Sequence, residues 1–176
     1  MKTLLYIFTF SLLACSNGEL TKKQAYQILQ KDYPKIIYYS IYTADPDHAT
    51  KIRQQGLVNA GLATVDTNAG FLKQCIFFPQ KAGNLLLPTP EKEKARLIQR
   101  VKTGERYVFE ITGIKMLEKN KAVVEYSTEV RNVTPFSRLS KKPIKEGDKG
   151  NGSAYFTKYT DGWRVDHRNS LDILVE

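Results

Sequence analysis

Between Arg106 and Val133 the chain alternates its side chains with a period of two, and this pattern decides the fold class. Tyr107, Phe109, Ile111 and Gly113 fall on one side; Arg106, Val108, Glu110 and Thr112 fall on the other. After the polar turn Leu117-Glu118-Lys119-Asn120-Lys121 the chain comes back. Val124, Tyr126, Thr128 and Val130 then oppose Val123, Glu125, Ser127, Glu129 and Arg131. Successive side chains of a strand point to opposite faces, so both segments read as strands of an antiparallel sheet. Leu97 to Lys102 reads as a strand before them. Ala154 to Tyr159 and Trp163 to His167 read as a closing hairpin across Thr160-Asp161-Gly162, where Asp-Gly is a turn signal. Between the two hairpins, Thr134 to Gly152 reads as a long loop rich in Lys, Gly, Ser and Pro.

The first half is mixed. Thr21-Lys22-Lys23-Gln24 matches a capping box, in which Thr and Gln side chains satisfy free N–H groups of a helix start. Ala25, Ile28, Leu29 and Tyr33 mark one face of that helix, and Pro34 ends it. Ile36 to Tyr42, rich in β-branched and aromatic residues, reads as a strand. Asp45-Pro46 starts a second helix that runs to about Asn59, although Gly56 interrupts it. Short strands follow at Leu62–Val65 and Cys75–Phe78. Leu85 to Pro90 with Glu91 to Lys94 reads as a connection, giving a sub-boundary near residues 88–95. A sheet needs one covered face. The expected fold is therefore α+β: an N-terminal helix–strand–helix part, then a twisted antiparallel meander with helices on one face, in a single domain over residues 21–176.

The start of the chain speaks about location. A single cation, Lys2, precedes an uncharged apolar run from Thr3 to Ala14, followed by Cys15. That run is too short to cross about 30 Å of hydrocarbon, which takes about 20 residues, but it suits a secretory leader. Leu12-Leu13-Ala14-Cys15 resembles the lipobox of bacterial lipoproteins. The resemblance implies removal of residues 1–14, a lipid on the Cys15 thiol and a tether over residues 15–20. Ser16 in place of Asp implies, in Gram-negative lipoproteins, the outer membrane. Removing the leader leaves 162 of 176 residues and lowers the formal charge from +9 to +8. A basic body beside a membrane is drawn to anionic head groups. Nucleic acid, the other usual partner of a basic chain, does not fit an exported protein.

Chemistry is sparse. No Gly-rich phosphate loop, Gly-x-Ser-x-Gly or metal-ligand spacing appears, and nothing calls for a cofactor. His48 lies in Asp45-Pro46-Asp47-His48. Both acids suit a helix start, and the catalytic alternative is an envelope hydrolase using His48. Asp166 and His167 are adjacent on a strand, so they point apart. With Cys15 lipidated, Cys75 has no partner and reads as a buried inert thiol. Tyr38 and Tyr42 share one strand face and, with Arg138, Lys141, Lys142 and Lys145 of the long loop, form the candidate binding surface. Tyr-rich faces suit recognition, and the basic loop suits an anionic envelope polymer or an envelope protein.

Two segments carry further resemblances. Gly61-Leu62-Ala63-Thr64-Val65 with the strand after it resembles the end of a winged helix and its wing, from which DNA binding does not follow. Tyr155-Phe156-Thr157-Lys158-Tyr159-Thr160-Asp161-Gly162-Trp163-Arg164-Val165 resembles the closing hairpin of NTF2-like or cystatin-like domains. That second resemblance implies a curved sheet and, as an alternative function, a small-ligand pocket between sheet and helices. The primary expectation is a non-enzymatic, lipid-anchored envelope protein that binds a partner.

Overall fold

A computed structural model describes residues 18–70 and 72–167. Helices α1 (Lys22–Leu29), α2 (Pro46–Gln54) and α3 (Glu91–Lys94) accompany seven strands. These are β1 (Lys35–Tyr42), β2 (Thr64–Val65), β3 (Ile76–Phe77), β4 (Ile98–Glu118), β5 (Lys121–Arg131), β6 (Lys149–Tyr159) and β7 (Gly162–Val165). An antiparallel sheet in the order β1-β4-β5-β6-β7 forms the bulk of the molecule, and β2 pairs with β3 in a separate two-stranded sheet. The class is mixed α+β, mostly sheet. No described helix is long and apolar enough to cross a membrane. The leader and Cys15 lie outside the described residues.

Local sequence explains the helix ends. Thr21 accepts from the Gln24 N–H at 3.2 Å, and the Gln24 side chain accepts from the Thr21 N–H at 3.1 Å, which closes the capping box. Asp45 caps α2 by accepting from the Asp47 N–H at 2.8 Å, with Pro46 in the first helical position. That helix stops at Gln54 rather than near Asn59. Gly56 sits at φ 72°, a left-handed conformation that glycine adopts at no steric cost and that ends a helix.

Two expectations about strands are corrected. The segments expected at Leu97–Lys102 and Arg106–Met116 are one strand of 21 residues. Its first part pairs with β1 (Lys35↔Arg106 to Tyr42↔Ile98) and its later part with β5 (Glu105↔Arg131 to Glu118↔Lys121). The strict alternation also fails. Register shifts between Val108 and Glu110 and between Ile111 and Gly113 insert extra residues. Such bulges re-aim the side chains after them. Val108 and Ile111, expected on opposite faces, are consequently buried in the same apolar cluster. The long loop is also shorter than expected, because a 3₁₀ turn at Pro135–Leu139 and the start of β6 at Lys149 occupy part of it.

Two apolar clusters cover what we term the inner face. Ile41, Ile52, Leu57, Ile76, Val101 and Phe136 belong to one, which gathers β1, α2 and the β2–β3 pair. Leu29, Val108, Ile111, Val124, Tyr126 and Phe156 belong to the other, beneath α1. The strand partners Tyr39↔Val101, Val108↔Thr128 and Ile111↔Tyr126 keep these residues on one side of the sheet. The neighbours of those residues in each strand face outward.

Candidate functional site

The outer face carries a continuous polar and aromatic strip over four strands. It starts where Tyr38 of β1 lies under the Arg100 guanidinium, 4.7 Å from the ring centroid, and Arg100 is ion-paired with Glu93 of α3. Next comes Glu105. Its carboxylate accepts from Lys102 Nζ at 2.5 Å, Tyr107 Oη at 2.7 Å and Asn132 Nδ2 at 2.5 Å. Arg131 lies over the Tyr107 ring at 5.3 Å and pairs with Glu129 at 2.7 Å. Lys149 of β6 pairs with the same Glu129 at 3.2 Å and stands 2.9 Å above the centroid of Phe109. A cation over an aromatic face is held by the ring quadrupole. Three such pairs thus stand on neighbouring strands, with carboxylates between them.

The electrostatics follow from these contacts. The Lys102 ammonium, followed by the Tyr107 and Asn132 donors, holds the Glu105 carboxyl at about 2, well below the usual 4.5. Donation to Glu105 raises the Tyr107 phenol in turn. Arg131, then Lys149, lowers Glu129. A carboxylate whose folded value is depressed stabilises the fold fully above its unfolded value, and that stability is lost as pH falls through the folded one. Glu105 therefore contributes above pH 4.5 and loses its contribution between 4.5 and 2. Glu105→Gln should destabilise by about 1–2 kcal/mol at neutral pH, a discounted figure for a group at a wet rim. Urea unfolding at pH 7 and pH 3 checks this. The difference between wild type and variant should shrink by about half at pH 3, and an equal difference at both would sink the assignment.

One atom on this face is unsatisfied. Ser127, flanked by inward-facing Tyr126 and Thr128, lies opposite Glu110 and Asn151 and is 8% exposed. Its hydroxyl oxygen is buried and has no hydrogen-bond partner. Buried polar atoms are nearly always paired, so this hydroxyl is an exception among the described residues.

The other expected site residues fall in separate places. Tyr38 is 48% exposed on the outer strip. Tyr42 shares its strand face, but four residues on, roughly 13 Å away, it lines a cleft of about 320 Å³ between α2 and residues 65–70 and 72–75. Asp45, Arg53, Asp66 and Lys73 supply the polar lining, and Cys75 lies at its wall. The Cys75 thiol is buried and donates to the Thr43 carbonyl at 3.3 Å. Arg138, Lys141, Lys142 and Lys145 are exposed in the loop before β6, and among the described residues none of them forms an ion pair. That loop is pinned: Phe136 and Leu139 are buried, Glu146 accepts from the Asn132 and Val133 N–H groups, and Asp148 accepts from the Lys145 N–H. Arg138 reaches the Gln55 carbonyl at the end of α2, far in sequence from Tyr38.

His48 is a brace between α2 and β1. Its Nδ1 accepts from the Tyr42 N–H at 2.9 Å, so the proton sits on Nε2, which faces Tyr39 Oη at 3.1 Å. Both ring nitrogens are engaged. The Asp45 carboxylate lies 3.7 Å from Nδ1 and is already used as the helix cap. Among the described residues no three His, Cys, Asp or Glu side chains converge as metal ligands.

Sequence reasoning missed Glu105, Tyr107, Phe109 and Arg131; Lys149, read with the basic set of the long loop from Thr134 to Gly152, begins β6 instead. Strict alternation put Tyr107 and Phe109 on the side of Ile111; the bulge after Val108 turns Ile111 to the inner face and leaves the two aromatic residues outward. Cross-strand pairing of Tyr107 with Glu129, and of Glu105 with Arg131, was the available signal once the hairpin register was known. Comparison with protein-family models, with curated proteins and with solved structures finds no match to this chain.

Proposed function

We propose that this chain is a cell-envelope lipoprotein, anchored through a lipid on Cys15, whose body is a non-catalytic module that binds an envelope partner with the outer face of its sheet. The finer architecture belongs to the same reading. A helix–strand–helix part and a twisted meander cover the inner face with helices and leave the other face free for contact. One observation carries it: the strip in which Tyr38, Tyr107 and Phe109 each lie under a cation. Aromatic rings and Arg are the residues on which binding energy concentrates. Four cations (Arg100, Lys102, Arg131 and Lys149) stand against three carboxylates (Glu93, Glu105 and Glu129), so the surplus lies at Arg131 and Lys149, which share Glu129, and a partner presenting a carboxylate or phosphate fits there.

A second reading rests on the cleft beside α2. Its volume of about 320 Å³ and its mixed lining, in which Arg53 and Lys73 are balanced by Asp45 and Asp66 beside the apolar Val65 and Leu72, suit a small amphiphile. This cleft lies beside α2 rather than in the hollow of the sheet where an NTF2-like pocket would be.

Photo-cross-linking in cells separates the two. A benzophenone amino acid at position 38 or 109 of the full-length protein should give one discrete adduct, and Lys149→Glu with Arg131→Glu should remove it. The same probe at Thr67, on the cleft, should give none. Adducts from Thr67 alone would overturn the outer-face reading. Cys15→Ser, exported by a non-lipoprotein leader, should move the protein from the membrane to the soluble fraction; retention on membranes would sink the anchor.

A further inference from the structure

Lys158 N–H donates to the Asn120 carbonyl at 2.8 Å, so the tips of the β4–β5 and β6–β7 hairpins lie side by side. Three large apolar side chains stand exposed there: Met116 at 37%, Leu117 at 47% and Tyr159 at 46%. A groove of about 360 Å³ separates Met116–Lys119 and Lys158 from Gly18 and Glu19. Gly18 is held in place. Its carbonyl accepts from Trp163 Nε1 at 3.2 Å, and the Lys158 ammonium packs where a side chain at residue 18 would stand.

From these positions we infer that the paired hairpin tips are a membrane-contacting surface, seated on the anionic head groups of the bilayer that holds the anchor. The inference rests on the lipid at Cys15. Three peptide units separate Cys15 from Gly18 and span at most about 11 Å whatever their path. An acylated Cys15 therefore brings Gly18, and the tips packed around it, to the interface. The side chains suit that surface. Met116 and Leu117 are among the last residues of β4, at the tip of the hairpin, where they stand exposed, and Tyr159 adds an amphipathic ring of the kind that settles at head-group level. Lys119 and Lys158 flank them without an ion pair among the described residues, while the nearby acids Glu118 and Asp161 are paired with Lys121 and Arg164. Glu19 is the remaining acid of the groove. Apolar tips within a basic rim match the physics of interfacial binding, in which buried apolar area and attraction to anionic lipid add together.

The chain has one tryptophan, Trp163, and its indole touches Gly18, so the test needs no label. Full-length lipidated protein is reconstituted into phosphatidylglycerol–phosphatidylethanolamine vesicles containing brominated lipid, and flotation and Trp163 quenching are both read. Wild type should float and lose at least half of its Trp163 emission. Leu117→Asp with Met116→Asp should float equally but be quenched at least two-fold less, with an unchanged unfolding midpoint. Lys119→Glu with Lys158→Glu should reduce quenching on anionic vesicles and make little difference on neutral phosphatidylcholine. Protein that floats with equal quenching in wild type and variants overturns the tip assignment and leaves the anchor standing; protein that does not float overturns both. Loss of a cross-linked protein in Leu117→Asp, with quenching unchanged, would make the tip a protein contact and reject the membrane.

Discussion

Phe136→Ala should remove about 3–5 kcal/mol of stability, the usual cost of emptying a buried aromatic site. Phe136 is 0% exposed and meets the Phe78 ring edge-on at 6.2 Å. It belongs to the cluster that also holds Ile41, Ile52, Ile76 and Val101, and its 3₁₀ turn lies against β1 and β4, so its removal opens a void between them. Little in that group can collapse inward, because the walls are strands tied by their own hydrogen bonds. The loss should also release the 3₁₀ turn at Pro135–Leu139, and with it the basic loop that follows. Urea unfolding should show a lower midpoint with an unchanged slope, and the thermal midpoint should fall by roughly 10 °C or more. A cost below about 1 kcal/mol would mean that the cluster is not packed as described.

Gly152→Ala should cost about 2–3 kcal/mol although it adds one methyl group. A Cβ on Gly152 would stand 2.6 Å from Cζ and 2.8 Å from Oη of Tyr126. Tyr126 is 4% exposed, its hydroxyl shares a hydrogen bond with Tyr33 Oη at 3.2 Å, and the two rings meet edge to face. It cannot give way without losing both contacts. A double-mutant cycle isolates the clash. In a Tyr126→Leu background the same Gly152→Ala change should cost under about 1 kcal/mol, since no ring lies across the strand. An equal cost in both backgrounds would locate the effect in the backbone instead.

Where local chemistry decided the structure, the sequence was legible. The Thr21 and Gln24 capping box, the Asp45 cap with Pro46, the Ile36–Tyr42 strand and the Asp161-Gly162 hairpin each depend on residues within a few positions of one another. Thr103-Gly104-Glu105 was harder. A glycine beside a charged residue reads as a break, yet the strand runs through it, and the Ile144 side chain packs against the bare Gly104 backbone. The bulges of β4 were invisible for a related reason: they satisfy the burial of Val108 and Ile111 together, which is a demand of the tertiary core. The candidate site suffered most. Of the partners of Glu105, Lys102 and Tyr107 lie within three positions on the same strand, across the expected break, and Asn132 is brought in by long-range register. Tyr38 was found by composition and strand parity, but its setting under Arg100 depends on how β1 pairs with β4.

The length of β4 has a consequence in time. The β4–β5, β5–β6 and β6–β7 pairings join consecutive strands, whereas β1 must find residues 98–106, with Lys35 and Arg106 71 positions apart. Closing a loop of that size costs more entropy than closing a hairpin, and distant pairings slow folding. The meander should therefore zip first and β1 dock last. As the chain is made, Ile36 to Tyr42 waits without its partner strand through the synthesis of more than fifty residues. An apolar edge left open for that interval is the segment on which a holding chaperone would act.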